Sequence, residues 1–131
     1  MRLLLDTHIW VWSVLEPARL TPRVKRALRS RTAELWLSSI SLWEVTLLVD
    51  KGRIVPRGDF VTWLDEALGV APLREAPLTH AIVRVAPSIE IPHNDPVDRL
   101  LAATAAALDL RLVTADERLL GGKGYRVLAN R

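Results

Sequence analysis

Four acidic residues stand where their carboxylates could do chemistry together. Asp6 and Asp116 each follow a short apolar run that is typical of a buried strand. Asp98 falls in the first turn of a predicted helix, and Glu44 lies on another helix among mainly apolar neighbours one turn away. An unpaired buried charge is costly, so Glu44 needs a cation, a donor or a proton. Ligands bind at the carboxyl ends of strands in open α/β sheets, so we expect these acids to converge there.

The chemistry that this set favours is the binding of a hard divalent cation. The chain has no cysteine, and its three histidines show no ligand spacing among them. Oxygen-only ligation suits Mg²⁺ or Mn²⁺ rather than zinc. Without a cation, two carboxylates 4 Å apart would repel by about 4 kcal/mol at an effective dielectric of 20. The sequence therefore predicts a Mg²⁺ or Mn²⁺ site.

Each acid taken singly also has a structural interpretation. An Asp in the first turn of a helix is favoured by the helix dipole, by about 0.3 to 1 kcal/mol. Asp95, followed by Pro96, is interpreted as a helix cap. Asp6 at a strand end could be a cap or loop residue, and Glu44 could sit at a surface edge. Only if the fold brings these acids together do they form a metal site and not a set of separate structural residues.

The elements that must position the acids alternate between strand and helix. Strands are predicted at 2–6, 34–38, 70–73, 111–114 and 125–128, and helices at 7–15, from 22, at 39–51, 59–68, 77–85 and 95–109. This alternation indicates an α/β fold, a three-layer α/β/α sandwich with a mostly parallel central sheet of about five strands. The chain of 131 residues is expected to form one domain, 1–131, with a single core.

Composition narrows the class of protein. Half of the residues are hydrophobic and a quarter are charged, and no apolar run approaches the roughly 18 residues of a membrane span. The amino terminus, MRLLLD, meets an acid too early for a signal peptide. We therefore expect a cytoplasmic protein with no membrane segment.

A net charge of +3 is compatible with a polyanionic partner. The basic residues cluster on the helix that Thr21 and Pro22 would start. They are Arg23, Lys25, Arg26, Arg29 and Arg31. This helix face could follow phosphates, or it could be a solvated surface with Val24 turned inward.

Four segments together make the chain resemble the PIN-domain ribonucleases, and among them the VapC-type toxins of toxin–antitoxin modules. The segments are LLLDTHIW at 3–10, SSISLWEV at 38–45, DPVDRLLAA at 95–103 and LVTAD at 112–116. DPVDR followed by VTAD at this distance is the most specific part. The segment 54–92 matches nothing specific, so the sequence does not name a substrate.

The resemblance implies an endoribonuclease that depends on Mg²⁺ or Mn²⁺ and leaves a 3′-hydroxyl and a 5′-phosphate. It implies Asp6, Glu44, Asp98 and Asp116 as the catalytic acids. Asp6, Asp98 and Asp116 would hold the metal, and Thr7 and Thr114 would be hydroxyl supports. The implied partners are an RNA substrate, a cognate antitoxin protein and a second copy in a homodimer. A partner would also explain helices at 8–15 and 40–49 that are apolar on several faces.

Two rival functions are weighed against this one. A phosphohydrolase of the haloacid dehalogenase type needs a second Asp two residues after the first, where this chain has His8. A non-catalytic RNA- or protein-binding module on the same fold would be indicated by loss of a pocket acid, and none is missing. His8 and Arg99 adjoin pocket acids and could touch phosphate, although His8 is interpreted as a packed helix residue and Arg99 as an ion-pair partner.

Overall fold

Five parallel strands form the centre of the molecule, which a computed structural model describes over residues 1–131. The sheet has the order β3-β2-β1-β4-β5, with every neighbouring pair parallel. The strands are β1 Arg2–Leu5, β2 Glu34–Ser38, β3 Arg74–Ala76, β4 Arg111–Thr114 and β5 Arg126–Ala129. The predicted α/β fold with a parallel sheet of about five strands is confirmed.

Seven α-helices accompany the sheet. They are α1 Thr7–Leu15, α2 Pro22–Arg29, α3 Ser39–Asp50, α4 Phe60–Leu68, α5 His80–Val85, α6 Pro96–Ala107 and α7 Glu117–Leu120. Two short 3₁₀ turns, at Pro17–Arg19 and Ala86–Ser88, complete the set. None of the helices is long and apolar enough to cross a bilayer.

The alternating side chains of β1 divide the core between the two faces of the sheet. Leu3 and Leu5 join the larger apolar cluster, to which α1, α2, α3 and α4 contribute. Leu4 points the other way and packs with Leu101 of α6 and Leu112 of β4. All three leucines of β1 are buried, and burying one such side chain stabilises the fold by about 1.5 to 3 kcal/mol. A central strand that is apolar on both faces is what a sheet covered on both sides requires.

The start and end of α6 follow from local chemistry. Oδ1 of Asp95 accepts hydrogen bonds from the amides of Val97 and Asp98, at 2.9 and 3.2 Å, so Asp95 is the predicted cap. The helix ends before Asp109, which has a left-handed backbone with φ of 53°. Asp tolerates that conformation better than most residues, which explains why the helix stops near the predicted point.

Most boundaries lie within two residues of the predicted ones, and three elements differ more clearly. The predicted edge strand at 70–73 is wrong, because Pro72 lacks a ladder donor and β3 instead begins at Arg74, opposite Trp36 of β2. The fifth helix begins at His80 rather than at 77, since the hydroxyl of Thr79 accepts the amide of Ile82. The ERLL segment at 117–120, which the sequence predicts as a turn, is the short helix α7.

Candidate functional site

The candidate site lies where β1 and β4 end side by side. Both strands run parallel in the middle of the sheet, and the amide of Asp6 donates to the carbonyl of Val113 at 3.0 Å. That bond extends the pairing by one residue and brings Asp6 next to the end of β4. Asp6 is the residue before α1, yet its carboxylate does not cap the helix. The carboxylate is therefore available to the cavity, and the cap interpretation of Asp6 does not hold.

A cavity of about 620 Å³ opens at this edge of the sheet, and we call it the acidic pocket. Five carboxylates from different parts of the chain line it. They are Asp6, Glu44, Asp95, Asp98 and Asp116. The cations at the same cavity are Lys51, Arg53 and Arg118. The four acids that the sequence singled out thus meet in one place, although their chemical roles stay predictions.

Asp6 is the most deeply placed acid, with only 6% of the residue exposed. Burial raises the pKa of its carboxyl to about 7, and the nearby charges of Asp98 and Glu44 add to the effect. A hydrogen bond from the hydroxyl of Thr114, at 2.8 Å to Oδ2, opposes the rise. A carboxyl whose pKa lies near 7 and that is surrounded by other acids is characteristic of a functional site.

Asp98 is also nearly buried, with 7% of the residue exposed. Burial raises its pKa, and the charges of Asp95 and Asp116 raise it further. The opposing contact is with His93, whose Nε2 lies 2.7 Å from Oδ2 of Asp98. Asp98 therefore faces the pocket with one of its oxygens already engaged.

Asp116 is held differently from the other two. Oδ1 of Asp116 accepts the backbone amide of Arg118 at 2.9 Å and so caps α7. The guanidinium of Arg118 also donates to both carboxylate oxygens, at 3.3 and 3.2 Å. Partial burial opposes ionisation, but these bonds outweigh it and lower the pKa of Asp116. Asp116 is thus an ionised carboxylate at the rim of the pocket.

The two predicted hydroxyl supports have different partners. Thr114 donates directly to Asp6, as described above. The hydroxyl of Thr7 instead donates to Oγ of Ser41 at 3.0 Å, in a fully buried contact that joins α1 to α3. Because Glu44 lies one turn after Ser41 on α3, this bond helps to fix the distance between Glu44 and Asp6.

The acids converge without forming a finished metal site. No three His, Asp or Glu side chains are arranged as a ready set of ligands. Three of the acids are instead engaged within the chain: Thr114 contacts one oxygen of Asp6, His93 contacts one oxygen of Asp98, and Arg118 contacts both oxygens of Asp116. The donor set nevertheless fits a hard cation, because every acid offers carboxylate oxygen, and because burial and neighbouring negative charges oppose the ionisation of Asp6 and Asp98. A bound cation would relieve that opposition.

Sequence reasoning missed several residues of the pocket. His93 lies in an irregular segment between prolines, where no periodicity indicates which side chain turns inward. Lys51 and Arg53 flank Gly52, whose residue type predicts only the end of the helix at 39–51. The interpretation of His8 as a packed helix residue is wrong, because His8 is exposed and lines the pocket. Arg99 forms no ion pair and donates to the carbonyls of Ala86 and Ile89, so it anchors the loop before α6.

The basic residues of α2 lie away from this site. Val24 is buried, and none of the helix's cations lines the acidic pocket. Lys25 and Arg29 instead border a mainly apolar cavity of about 320 Å³. Val24 is thus turned inward as expected, and the cations of α2 form no part of the acidic pocket.

Comparison with known proteins gives the same family that the motifs indicated. Residues 3–121 match the PIN domain. The chain is 33% identical over 119 residues to ribonuclease VapC22 of Mycobacterium tuberculosis, with 88% of each protein covered.

Solved structures show the same fold at low identity. DNA-bound VapBC from Salmonella typhimurium has a chain with a TM-score of 0.75 and 17% identity, covering 100% of this chain and 99% of that one. VapBC2 from Rickettsia felis, bound to a promoter DNA fragment, gives 0.72 and 16%, with 98% of each chain covered. With residues 3–121 matched and a relative 33% identical, the chain belongs to the PIN-domain family and, within it, to the VapC group.

Proposed function

We propose that this chain, acting as one nuclease domain, is a divalent-metal-dependent endoribonuclease and the toxin of a toxin–antitoxin pair. The observation that carries the proposal is the convergence of Asp6, Glu44, Asp98 and Asp116, from four separate elements, on one pocket. The similarity to a protein named as a ribonuclease supports RNA as the substrate. The reaction is hydrolysis of an RNA phosphodiester.

Asp6, Asp98 and Asp116 would hold the cation, which we propose to be Mg²⁺ or Mn²⁺. When bound, the cation supplies Lewis acidity and lowers the pKa of water toward neutrality. The raised pKa of Asp6 and of Asp98 supports this assignment, since both carboxyls lie in a setting that disfavours their negative charge. Two of the three proposed ligands would thus bind a cation with relief of the penalty that burial and neighbouring negative charges place on their ionisation.

Other residues of the pocket would then orient the metal-binding acids and the attacking water. Thr114 fixes one oxygen of Asp6, and His93 fixes one oxygen of Asp98. Each acid thereby presents its remaining oxygen in a defined direction. Glu44 adds a carboxylate on the α3 side of the same pocket, where it would accept hydrogen bonds from the attacking water. Such positioning contributes to rate by holding the reactants near their reactive geometry.

We propose two protein partners for this chain. Similar solved structures belong to toxin–antitoxin complexes or systems by their own descriptions, and they support a cognate antitoxin. We also propose a homodimer, because Trp43 on the outer face of α3 is 56% exposed and Leu15 at the end of α1 is 42% exposed. Light scattering of the purified chain, alone and with its antitoxin, tests both.

The decisive experiment is cleavage of RNA by the purified chain. Structured and unstructured RNAs would be incubated with Mg²⁺, with Mn²⁺ or with chelator. We expect cleavage that needs the metal and that Asp6→Asn abolishes. The matched control is Asp59→Asn, which removes an equal charge at the exposed cap of α4 while Asn still caps the helix. Binding of RNA without cleavage under either ion would instead support the rival function of a non-catalytic binding module.

A further inference from the structure

The segment 121–125, with the sequence GGKGY, joins α7 to β5 and lines no part of the acidic pocket. We call it the clasp. Its backbone pairs with the loop of residues 88–95, which we call the His93 loop. The amide of Lys123 donates to the carbonyl of Glu90 at 2.7 Å, and the amide of Glu90 donates to the carbonyl of Lys123 at 3.2 Å. The clasp is therefore bonded to the loop that leads into α6.

The same segment is also fixed to α7. The hydroxyl of Tyr125 donates to the carbonyl of Leu119, and its ring packs against the apolar clusters to which α6 contributes. Burial raises the pKa of Tyr125 to about 12, and the charges of Asp98 and Asp116 add to the effect. The hydroxyl therefore keeps its proton near neutral pH and remains a donor. The clasp thus holds α7 and the His93 loop together.

The two elements that the clasp joins each carry an acid of the pocket. The helix α7 begins directly after Asp116, whose side chain caps it. The His93 loop carries the histidine that contacts Asp98, and it ends at Asp95, the cap of α6. The carboxylates of Asp98 and Asp116 are not bonded to each other. Their separation therefore depends on how α7 and the His93 loop pack, and the clasp is a contact between the two.

The close approach of the clasp to the His93 loop requires a glycine at position 122. A Cβ at Gly122 would lie 2.8 Å from the carbonyl oxygen of Glu90 and 2.9 Å from Cγ2 of Ile91. It would also overlap the hydroxyl of Tyr125. Since the Glu90 oxygen belongs to the backbone, a side chain at position 122 must push the His93 loop away from the clasp.

We propose that Gly122 and Tyr125 are positioning residues of the acidic pocket. The clasp fixes the place of His93, and through it the direction of the Asp98 carboxylate. It also fixes the distance from that carboxylate to Asp116. This inference rests on the proposed metal-dependent function and adds two residues outside the pocket on which cation binding depends. Contacts behind a metal ligand orient that ligand and so affect metal affinity, and the clasp acts one contact further out.

The first test compares two neighbouring glycines. Gly122→Ala forces the short contacts described above. Gly121→Ala is the matched control, because a Cβ there would meet only the carbonyl oxygens of Glu117 and Arg118, at 3.5 and 3.9 Å. Binding of Mn²⁺ to the purified proteins is followed through the electron paramagnetic resonance signal of the free ion. We expect Gly122→Ala to weaken Mn²⁺ binding about tenfold and Gly121→Ala to bind like wild type.

A second readout does not depend on the metal. The ring-nitrogen resonances of His93, recorded by ¹⁵N NMR in chelator, report its contact with Asp98. Gly122→Ala and Tyr125→Phe should both shift these resonances, because each loosens the hold on the His93 loop, while Gly121→Ala should leave them in place. Tyr125→Phe keeps the ring and loses only the hydroxyl bond to α7, so it should weaken Mn²⁺ binding less than Gly122→Ala does.

The outcomes separate this inference from the proposed function. If Gly122→Ala is folded by circular dichroism and matches wild type in Mn²⁺ affinity or in the His93 resonances, the positioning role is overturned. Equal losses in Gly121→Ala would overturn it as well. If Gly122→Ala does not fold, Tyr125→Phe decides by the same two measurements. If the His93 resonances shift as expected but wild type binds no Mn²⁺, the proposed metal-dependent function fails and the hold of the clasp on His93 stands.

Discussion

His93 and Asp98 are joined by a contact of 2.7 Å between Nε2 and Oδ2, five residues apart in the chain. Only 11% of each side chain is exposed, and Nδ1 of His93 is buried without a hydrogen-bond partner. The irregular loop before α6 thus delivers a donor to an acid of the pocket. A donor in this position prevents the carboxylate from rotating freely, which is how outer contacts orient metal-binding groups.

His93→Ala should lower the rate of RNA cleavage by about 10- to 100-fold, because Asp98 would lose the contact that orients it. His93→Gln should recover part of the rate, since its amide can donate to the same oxygen. Steady-state cleavage of one RNA by the three proteins measures this. His80→Ala, at an exposed histidine outside the pocket, is the control and should retain full activity. Equal rates in wild type and His93→Ala would show that the contact has no part in the reaction.

The raised pKa of Asp6 predicts how the stability of the metal-free protein changes with pH. The unfolded carboxyl titrates near 3.8 and the folded one near 7, so between these values the folded state binds more protons. Stability through this group therefore falls as pH rises from about 4 to about 7 and then stays level. Asp6→Asn removes the penalty, so the variant should melt above wild type at pH 8 and near it at pH 4.

Thermal melting of both proteins in chelator, across that range, measures the difference. The remaining acids are common to the two proteins, so most of their titration cancels in the comparison. A melting difference that is the same at pH 4 and pH 8 would mean that Asp6 carries no such penalty.

How much of this arrangement was predictable from sequence depends on the kind of element. Asp6 and Asp116 were placed correctly at the sheet edge because buried strands have a strong apolar pattern, and Asp95 because Asp before Pro has a local capping chemistry. His93 was not predictable, since its position depends on a loop that Arg99 ties down through backbone carbonyls. Such contacts between distant chain segments leave no periodic signal.

The positions of the cations at the pocket were likewise not predictable from the sequence. Gly52 is typical of a helix end, and α3 ends just before it. The direction in which Lys51 and Arg53 project, however, is set by the turn in which the amides of Gly52 and Arg53 donate to backbone carbonyls of α3. The prediction of an edge strand at 70–73 was wrong for a related reason. Its position is set by pairing with β2, which the apolar character of 70–73 does not encode.

Thr114→Val should raise the pKa of Asp6 above its present value of about 7, because the hydroxyl that stabilises the carboxylate is lost without loss of volume. Thr114 is fully buried, so the unpaired oxygen of Asp6 should cost about 1 to 3 kcal/mol at pH 8. Thr114→Ser keeps the donor and should keep the pKa. Carbon-detected NMR titration of the Asp6 carboxyl in chelator gives the three values. A Val variant with the wild-type pKa would contradict the role of the hydroxyl.

The last prediction separates a cation site from a general concentration of negative charge. Asp95 and Asp98 both stand at the start of α6 and line the same pocket, so either substitution by Asn removes one charge from nearly the same place. Mn²⁺ at a hundred times its dissociation constant should stabilise wild type by about 2.7 kcal/mol. Asp98→Asn should lose most of that stabilisation, because we propose Asp98 as a ligand.

Asp95→Asn should keep the stabilisation by Mn²⁺. Oδ1 of Asp95 is occupied by two backbone amides, and Asn is an equally good cap, so the helix start is preserved. Two charges 5 Å apart interact by about 3 kcal/mol at a dielectric of 20, so a purely electrostatic response would affect both variants alike. Melting of the three proteins with chelator and with Mn²⁺ distinguishes the cases. Equal losses in the two variants would mean that Mn²⁺ responds to the charge of the pocket as a whole and that Asp98 is not a ligand.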